Sequence, residues 1–323
     1  MVRETVLVTG GCGFIGQRMV ASLKADEHSV RVLDIPRADF CRVSDLGAKV
    51  LEGSVVDGES VAVALGNSKV VYHMAAPDIA IRDDRFIRKM VVAGVEVLME
   101  EAEDSKVEHI VAASTTGVYA RTQGVHGEDA PLKPGNRLER AKLDMERALE
   151  KGSRRTGIGV TVMRLANVYG EGDGGIVDRL VPEVVYEGRV TLPEEGLVSC
   201  VHVEDLVDAS RRLADVARDG DGTEDEGAFL ALNCVDDRTH TAREMVDAIA
   251  NVTGAPSPEL RRPGPVGTSK GRWADREHCV RLVERGSYSN AAIKDVLAGW
   301  PRWPGLEDGL PGELAPEQKG RPL

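Results

Sequence analysis

The sequence predicts an α/β fold built on a doubly wound parallel sheet. Two observations carry this. Short, β-branched apolar runs alternate with helical stretches through the first half of the 323-residue chain. The first run ends in a glycine-punctuated turn, and the second ends in an acid. A strand–helix–strand rhythm of this kind packs its helices on both faces of a parallel sheet.

The strand-like runs are residues 5–9, 30–33, 50–51, 70–74, 109–113 and 160–165. Helical patterns lie between them, at 17–23, 86–103 and 138–151. After the first run, residues 9–16 read TGGCGFIG, with glycines at Gly10, Gly13 and Gly16. This is the chemistry of a Rossmann dinucleotide turn. A pyrophosphate sits against bare backbone N–H groups at a helix N-terminus, where the helix dipole favours negative charge. A Cβ at the glycine positions would hold the phosphate off. Asp34, at the end of the second run, stands at the distance expected of a carboxylate that bonds the adenosine ribose hydroxyls. The sequence therefore predicts a dinucleotide-binding domain.

Composition excludes several classes. The net charge is -12, which argues against nucleic-acid or anionic-membrane binding, since both need a basic face. The hydrophobic content of 42% is globular, and no stretch approaches the ~18 apolar residues of a membrane span. The first strand begins within six residues of Met1, leaving no room for a signal peptide. Cys12, Cys41, Cys200, Cys234 and Cys279 are widely spaced, without a metal or disulfide pattern, so a cytoplasmic protein without a metal site is expected. Cys12 and Cys200 read as small hydrophobes rather than nucleophiles.

Further along, residues 170–175 form an acidic glycine-rich connector, 176–187 a helix and 197–203 a Val-rich strand. Residues 215–227 read as an acidic surface loop, 229–232 as one more strand, and 255–271 as a long loop. The expected organisation is a Rossmann domain of residues 1–170 plus 198–237, with a smaller α/β substrate-binding domain of 171–197 plus 238–323.

Six ordered motifs carry a family resemblance: 9–16 with Asp34; VYHMAA at 71–76; STTGVY at 114–119; NVYG at 167–170, after Arg164; VHVED at 201–205; and a C-terminal signature from Ser289-Asn290 through LAGWP at 297–301 to Gly309-Leu310. Together they resemble the extended short-chain dehydrogenase/reductases, and more narrowly the NAD-dependent epimerase/dehydratase family. The resemblance implies that Gly10, Gly13, Phe14, Ile15, Gly16, Asp34, Ile35, Ser54, Val55, Met74, Ala75, Ala76, Lys142, Leu165 and Asn167 hold the cofactor. Asp34 implies NAD, and Arg37 nearby leaves NADP open. The resemblance also implies a homodimer, formed through helices 86–103 and 138–151, and a small-molecule substrate.

Where this chain departs from the family is as informative. The family's Tyr-x-x-x-Lys places a proton donor one helical turn before a lysine. Here Lys142 is present and the tyrosine position is Leu138. Thr115 falls at the family's catalytic Ser/Thr position. Tyr119, on the loop that follows, and His126 are further candidates for moving a proton. Ser54 replaces the family's adenine-contacting Asp, Val91 an Asn, and Val198 the Arg that grips a substrate diphosphate in nucleotide-sugar members. Arg261, Arg262 and Arg272 are alternative sources of that grip. Three readings stay open: an atypical NAD(P)-dependent oxidoreductase acting on a carbonyl or alcohol through Thr115, Lys142 and Tyr119; a sugar or nucleotide-sugar epimerase/dehydratase using transient oxidation; and a non-catalytic dinucleotide sensor or scaffold.

Overall fold

The computed structural model describes residues 3–77, 81, 83–170, 176–194, 196–219, 228–262 and 284–313. Residues 171–175 of the acidic connector, 220–227 of the acidic loop, 263–283 with Arg272 and Cys279, and the tail beyond 313 lie outside the described residues. The first compact unit comprises residues 1–118, 132–164 and 207–232, and the second 119–131, 165–206 and 233–323.

The first unit opens with β1 (Thr5–Thr9), α1 (Phe14–Ala25), β2 (Ser29–Asp34), α2 (Cys41–Asp45), β3 (Lys49–Glu52), α3 (Gly58–Leu65) and β4 (Val70–His73). Then come α4 (Asp84–Arg88), a π-helical turn (Lys89–Ala93), α5 (Gly94–Glu103), β5 (His109–Thr115), the two-residue β6 (Val125–His126), α6 (Arg137–Thr156) and β7 (Gly159–Leu165). The chain continues through β8 (Asn167–Tyr169), α7 (Ile176–Pro182), β9 (Arg189–Thr191), β10 (Leu197–His202), α8 (Val203–Asp219) and β11 (Phe229–Cys234).

Seven strands form one sheet in the order β11-β7-β5-β4-β1-β2-β3. The pairings β1–β2, β1–β4, β2–β3 and β4–β5 are parallel. Strands covered on both faces must be apolar on both. β1 shows this, with Val6, Leu7 and Val8 all buried; β7 is buried from Val160 to Leu165 although it carries Thr161 and Arg164. The strand order reverses between β1 and β4, the switch point at which doubly wound sheets bind ligands beyond the strands' carboxyl ends. The core on one face packs Val61, Leu65, Val95, Leu98, Met145 and Leu149 against the sheet.

In the second unit β10 pairs with β8, Cys200 opposite Asn167, and with β12 (Thr239–Thr241), Val198 opposite His240. These three strands form their own sheet. Residues 119–131, 165–170, 198–206 and 233–237 cluster with the second unit. A core of Val184, Val190, Val198, Met245, Ile249 and Leu310 lies around α9 (Ala242–Thr253).

Residues 215–219 are helical, which corrects the loop expected there. α8 continues because Arg218, in its last turn, pairs with Glu4 and Glu108, and Leu213 and Ala214 are buried. Composition favoured a loop, and these tertiary contacts outweighed it.

Candidate functional site

The glycine turn is shaped by close backbone approach. Gly10 has φ +68°, and a Cβ there would lie 2.6 Å from the Cα of Ala75. A Cβ on Gly16 would lie 2.1 Å from the carbonyl oxygen of Gly10. Both distances are impossible for a side chain, so only glycine lets β1, the loop after β4 and α1 meet this tightly. Gly13 is the N-cap of α1, and no side chain caps it. The N–H groups of the first turn, at Phe14, Ile15 and Gly16, are therefore open to an anion.

Asp34 closes the other end of the turn. Its Oδ2 accepts from the Cys12 N–H at 2.9 Å and its Oδ1 from the Ile35 N–H at 2.8 Å. Each oxygen keeps a lone pair for a ribose hydroxyl. Burial and the neighbouring Asp34 push the Cys12 thiol up to about 12, so it is no nucleophile. Ser54 is half-buried, and Val55 is buried against Gly94. Met74 is buried, Ala75 half-buried and Ala76 exposed, with the Met74 N–H bonded to Thr9 O at 3.1 Å. Behind them His73 is wholly buried and shares a 2.9 Å hydrogen bond with the Thr9 hydroxyl. Burial, followed by the charge of Lys142, holds its pKa down to about 3.

α6 begins with a reciprocal cap. Asn136 Oδ1 accepts from the Glu139 N–H at 3.0 Å, and Glu139 Oε2 accepts from the Asn136 N–H at 3.0 Å. Glu139 also packs against Gly117, where a Cβ would come within 2.7 Å of it. This fixes the helix beside the turn that ends β5. Lys142, on α6, is buried and donates to the Ala113 carbonyl at 2.6 Å. Burial lowers its pKa to about 8, while Glu146 works in the opposite direction. Thr115 is half-buried and accepts from the Gly117 N–H at 3.1 Å, which leaves its hydroxyl hydrogen to donate. Leu138, one turn before Lys142, is half-buried and packs on the sheet's apolar core.

The first unit thus gathers most of the expected residues: the glycine turn, Asp34, Ile35, Ser54, Val55, Met74, Ala75, Ala76, Thr115 and Lys142. Leu165 and Asn167 cluster with the second unit, where Asn167 Nδ2 donates to Ser199 O at 3.0 Å. Tyr119 also clusters there. It is 1% exposed, donates its hydroxyl to Asn233 Oδ1 at 2.8 Å and packs against the rings of His126 and Tyr288. Val198 is wholly buried in β10, so no diphosphate grip comes from that position.

The turn fits a dinucleotide on two counts: an uncapped helix N-terminus and a carboxylate pre-set by two backbone donors. The sequence matches the model of the NAD dependent epimerase/dehydratase family over residues 6–225. This chain belongs to that family. Membership makes it an enzyme of the NAD-dependent epimerase/dehydratase type, with NAD as cofactor. A UDP-glucose 4-epimerase of Lactobacillus helveticus is 28% identical over 230 residues, spanning 63% of this chain and 70% of that protein. A 3-diazoavenalumate denitrifying reductase of a Streptomyces species is 30% identical over 327 residues, 94% of this chain and 98% of that protein. The solved UDP-glucose 4-epimerase of Thermotoga maritima, with UDP-glucose, is 25% identical, with a TM-score of 0.78 over 96% of this chain and 97% of that one.

One part of the site escaped sequence reasoning. Beneath Lys142, Glu146 is enclosed by Arg164 and Ser114. The signal for it was Arg164, the one charged residue in the strand-like run 160–165, a charge that must be paired if that strand is buried.

Proposed function

We propose that the protein is an epimerase or dehydratase of nucleotide-sugar-type substrates that works by internal redox. Similarity along nearly the whole chain to a solved UDP-glucose 4-epimerase carries this reading. The cofactor cradle, with Thr115 and Lys142 on the same unit, agrees with it. NAD held there would supply reversible hydride transfer at a substrate carbon. The chain's own residues do the rest. The α1 N-terminus and Asp34 fix the cofactor's pyrophosphate and adenosine ribose. Thr115 donates its hydroxyl to the substrate oxygen at the reacting carbon. Lys142 holds the nicotinamide ribose. Leu138 supplies no proton, so Lys142, with a pKa of about 8, is the group among the described residues of this unit suited to exchanging one near neutral pH. His73, held near 3, is not.

The test is incubation with NAD and, separately, UDP-glucose, UDP-glucuronate and dTDP-glucose, with sugar products followed by NMR and nicotinamide absorbance recorded throughout. A changed sugar without net reduction of NAD is expected. A second reading, net reduction of a small carbonyl-like substrate, is favoured by the likeness along almost the whole length to a reductase and by Leu138. It predicts stoichiometric loss of the reduced nicotinamide and no sugar product, a result that would sink the first reading.

A further inference from the structure

The glycine turn is clamped by two side chains, and only Asp34 has a place in the reading above. Residues 10–13 read GGCG, so Cys12 is the one residue of this stretch with a side chain. A run of glycines is costly to order, because each loses more backbone freedom than any other residue. Here the order is imposed at Cys12. Its N–H donates to Asp34 Oδ2 at 2.9 Å, and its carbonyl accepts from Gln17 Nε2 at 2.6 Å. The flanking glycines are tied in by backbone bonds, the Gly10 N–H to Leu33 O at 2.9 Å and the Gly13 N–H to Gly10 O at 3.1 Å. Gln17 is the fourth residue of α1, and its own N–H donates to Gly13 O as the helix begins. Its side chain therefore reaches back past the N-cap Gly13 to the residue before it. These are the positions that a hydrophobic staple joins, and here a hydrogen bond joins them. Arg42, exposed on α2, donates from Nη1 to Gln17 Oε1 at 3.2 Å, while Val43 beside it is wholly buried and seats that helix. With its oxygen facing Arg42 and its nitrogen facing the Cys12 carbonyl, the Gln17 amide has one orientation that satisfies both partners.

We propose that Gln17 is a positioning residue for the cofactor's pyrophosphate: with Asp34 and Arg42 it sets the Cys12 backbone before the cofactor arrives, so that the N–H groups of Phe14, Ile15 and Gly16 are already aligned. The inference rests on the reading of this turn as the pyrophosphate cradle. Its physical content is preorganisation. A turn that is ordered in the free protein does not spend binding energy on ordering itself. A second effect has the same sign. A carbonyl oxygen is an acceptor that repels a phosphate, and the Gln17 amide keeps the Cys12 carbonyl engaged. Among the described residues the Gln17 side chain bonds Cys12 and Arg42 alone, so its effect on NAD passes through the turn.

The test is NAD affinity by calorimetry together with hydrogen–deuterium exchange of residues 9–16, on the full chain with and without NAD. Gln17→Leu is a helix former of similar bulk that lacks the donor. It is expected to bind NAD about fivefold to tenfold more weakly. The melting temperature of the free variant should stay within about 2 °C of wild type. Amide exchange of the turn in the free variant is expected to rise several-fold and to return to the wild-type level at saturating NAD. Arg42→Ala, which frees the Gln17 amide to turn, should reproduce both effects in smaller measure. Gln17→Ala carries the same expectations should the leucine repack or the variant fail to fold. Unchanged affinity in a folded Gln17 variant overturns the proposal. Weaker binding with unchanged exchange in the free protein overturns it too, since Gln17 would then act on the cofactor and not through the turn. A loss in Arg42→Ala larger than in Gln17→Leu does the same, because Arg42 would then meet the cofactor itself. Wild-type protein that fails to bind NAD, or binds it without protecting residues 9–16, defeats the cradle reading and the proposal with it. Failure to transform any sugar, with affinity and exchange as stated, defeats the substrate reading alone.

Discussion

At the scale of single residues, the glycine turn separates two requirements that sequence motifs merge. Gly16 is needed by the fold, since its Cβ would meet the Gly10 carbonyl at 2.1 Å. Gly13 is tight but not blocked: a Cβ 3.3 Å from that same oxygen asks for a shift of only a few tenths of an ångström, so this glycine serves chiefly the ligand. Gly16→Ala is therefore expected to lower both the melting temperature and NAD binding. Gly13→Ala should keep the melting temperature near wild type and weaken NAD at least about tenfold, a loss of about 1.4 kcal/mol. Thermal unfolding with and without NAD reads both. Leu138 is the other decisive residue. Leu138→Tyr restores the family's proton donor one turn before Lys142. Turnover in whichever assay detects activity is expected to rise on the order of tenfold to a hundredfold. Leu138→Phe, of similar bulk without a hydroxyl, should show no gain. Equal rates for the two variants would refute a proton role at this position.

At the scale of elements, α6 carries the site because its N-terminus is locked. The sequence predicted a helix over 138–151, and the structure extends it to Arg137–Thr156. Asn136 caps it, and Gly157, at φ +76°, ends it. Asn136→Ala is expected to lower unfolding free energy by about 1 kcal/mol in urea denaturation. Because Lys142 lies within the first two turns, NAD affinity should fall as well. A loss of stability with unchanged affinity would separate the cap from the site. The helix predicted at 86–103 exists, but it contains a π-helical turn at Lys89–Ala93. Apolar periodicity does not report such a turn. The turn leads into Gly94, which packs on the segment after β3 so closely that a Cβ would lie 2.9 Å from Val55.

At the scale of the whole molecule, buried ionisable groups set a pH window for stability. Burial depresses His73 to about 3 and His109 to about 4. Their unfolded values lie near 6.5, so the unfolded chain takes up protons that the native state refuses. Stability contributed by these two is present above about pH 6.5 and lost as pH falls towards 4 and then 3. Asp236 acts in the opposite sense. Burial, then repulsion from Asp205, raises it well above the carboxylate range, and neither of its oxygens has a hydrogen-bond partner among the described residues. The backbone of His202 and the hydroxyl of Tyr169 pull the other way without reaching hydrogen-bond geometry. The native state then holds a proton that the unfolded chain releases, so this contribution is full below about pH 4 and declines as pH rises. Asp236→Asn is expected to raise stability at neutral pH and to flatten that decline in chemical denaturation across pH. Unchanged pH dependence would show that Asp236 is ionised in the native state.

The sequence by itself determined the doubly wound parallel sheet, from the period of its apolar runs, and it marked the glycine turn and Asp34 by turn chemistry and spacing; Thr115 and Lys142 were expected from the resemblance of their motifs to the family's. Even the missing tyrosine was legible, as Leu138 four residues before Lys142. Only the tertiary structure decided the surroundings of Lys142. Arg164 and Ser114 stand 18 and 32 residues from Glu146, on two different strands, and meet it only once the sheet is assembled. The same holds for Asp236, which borders two strands and Asp205, and for Tyr119, whose hydroxyl is taken by Asn233, 114 residues away. The physical reason is common to all three. A buried polar group is defined by partners that close around it from every side, and a linear pattern records only the side on its own element.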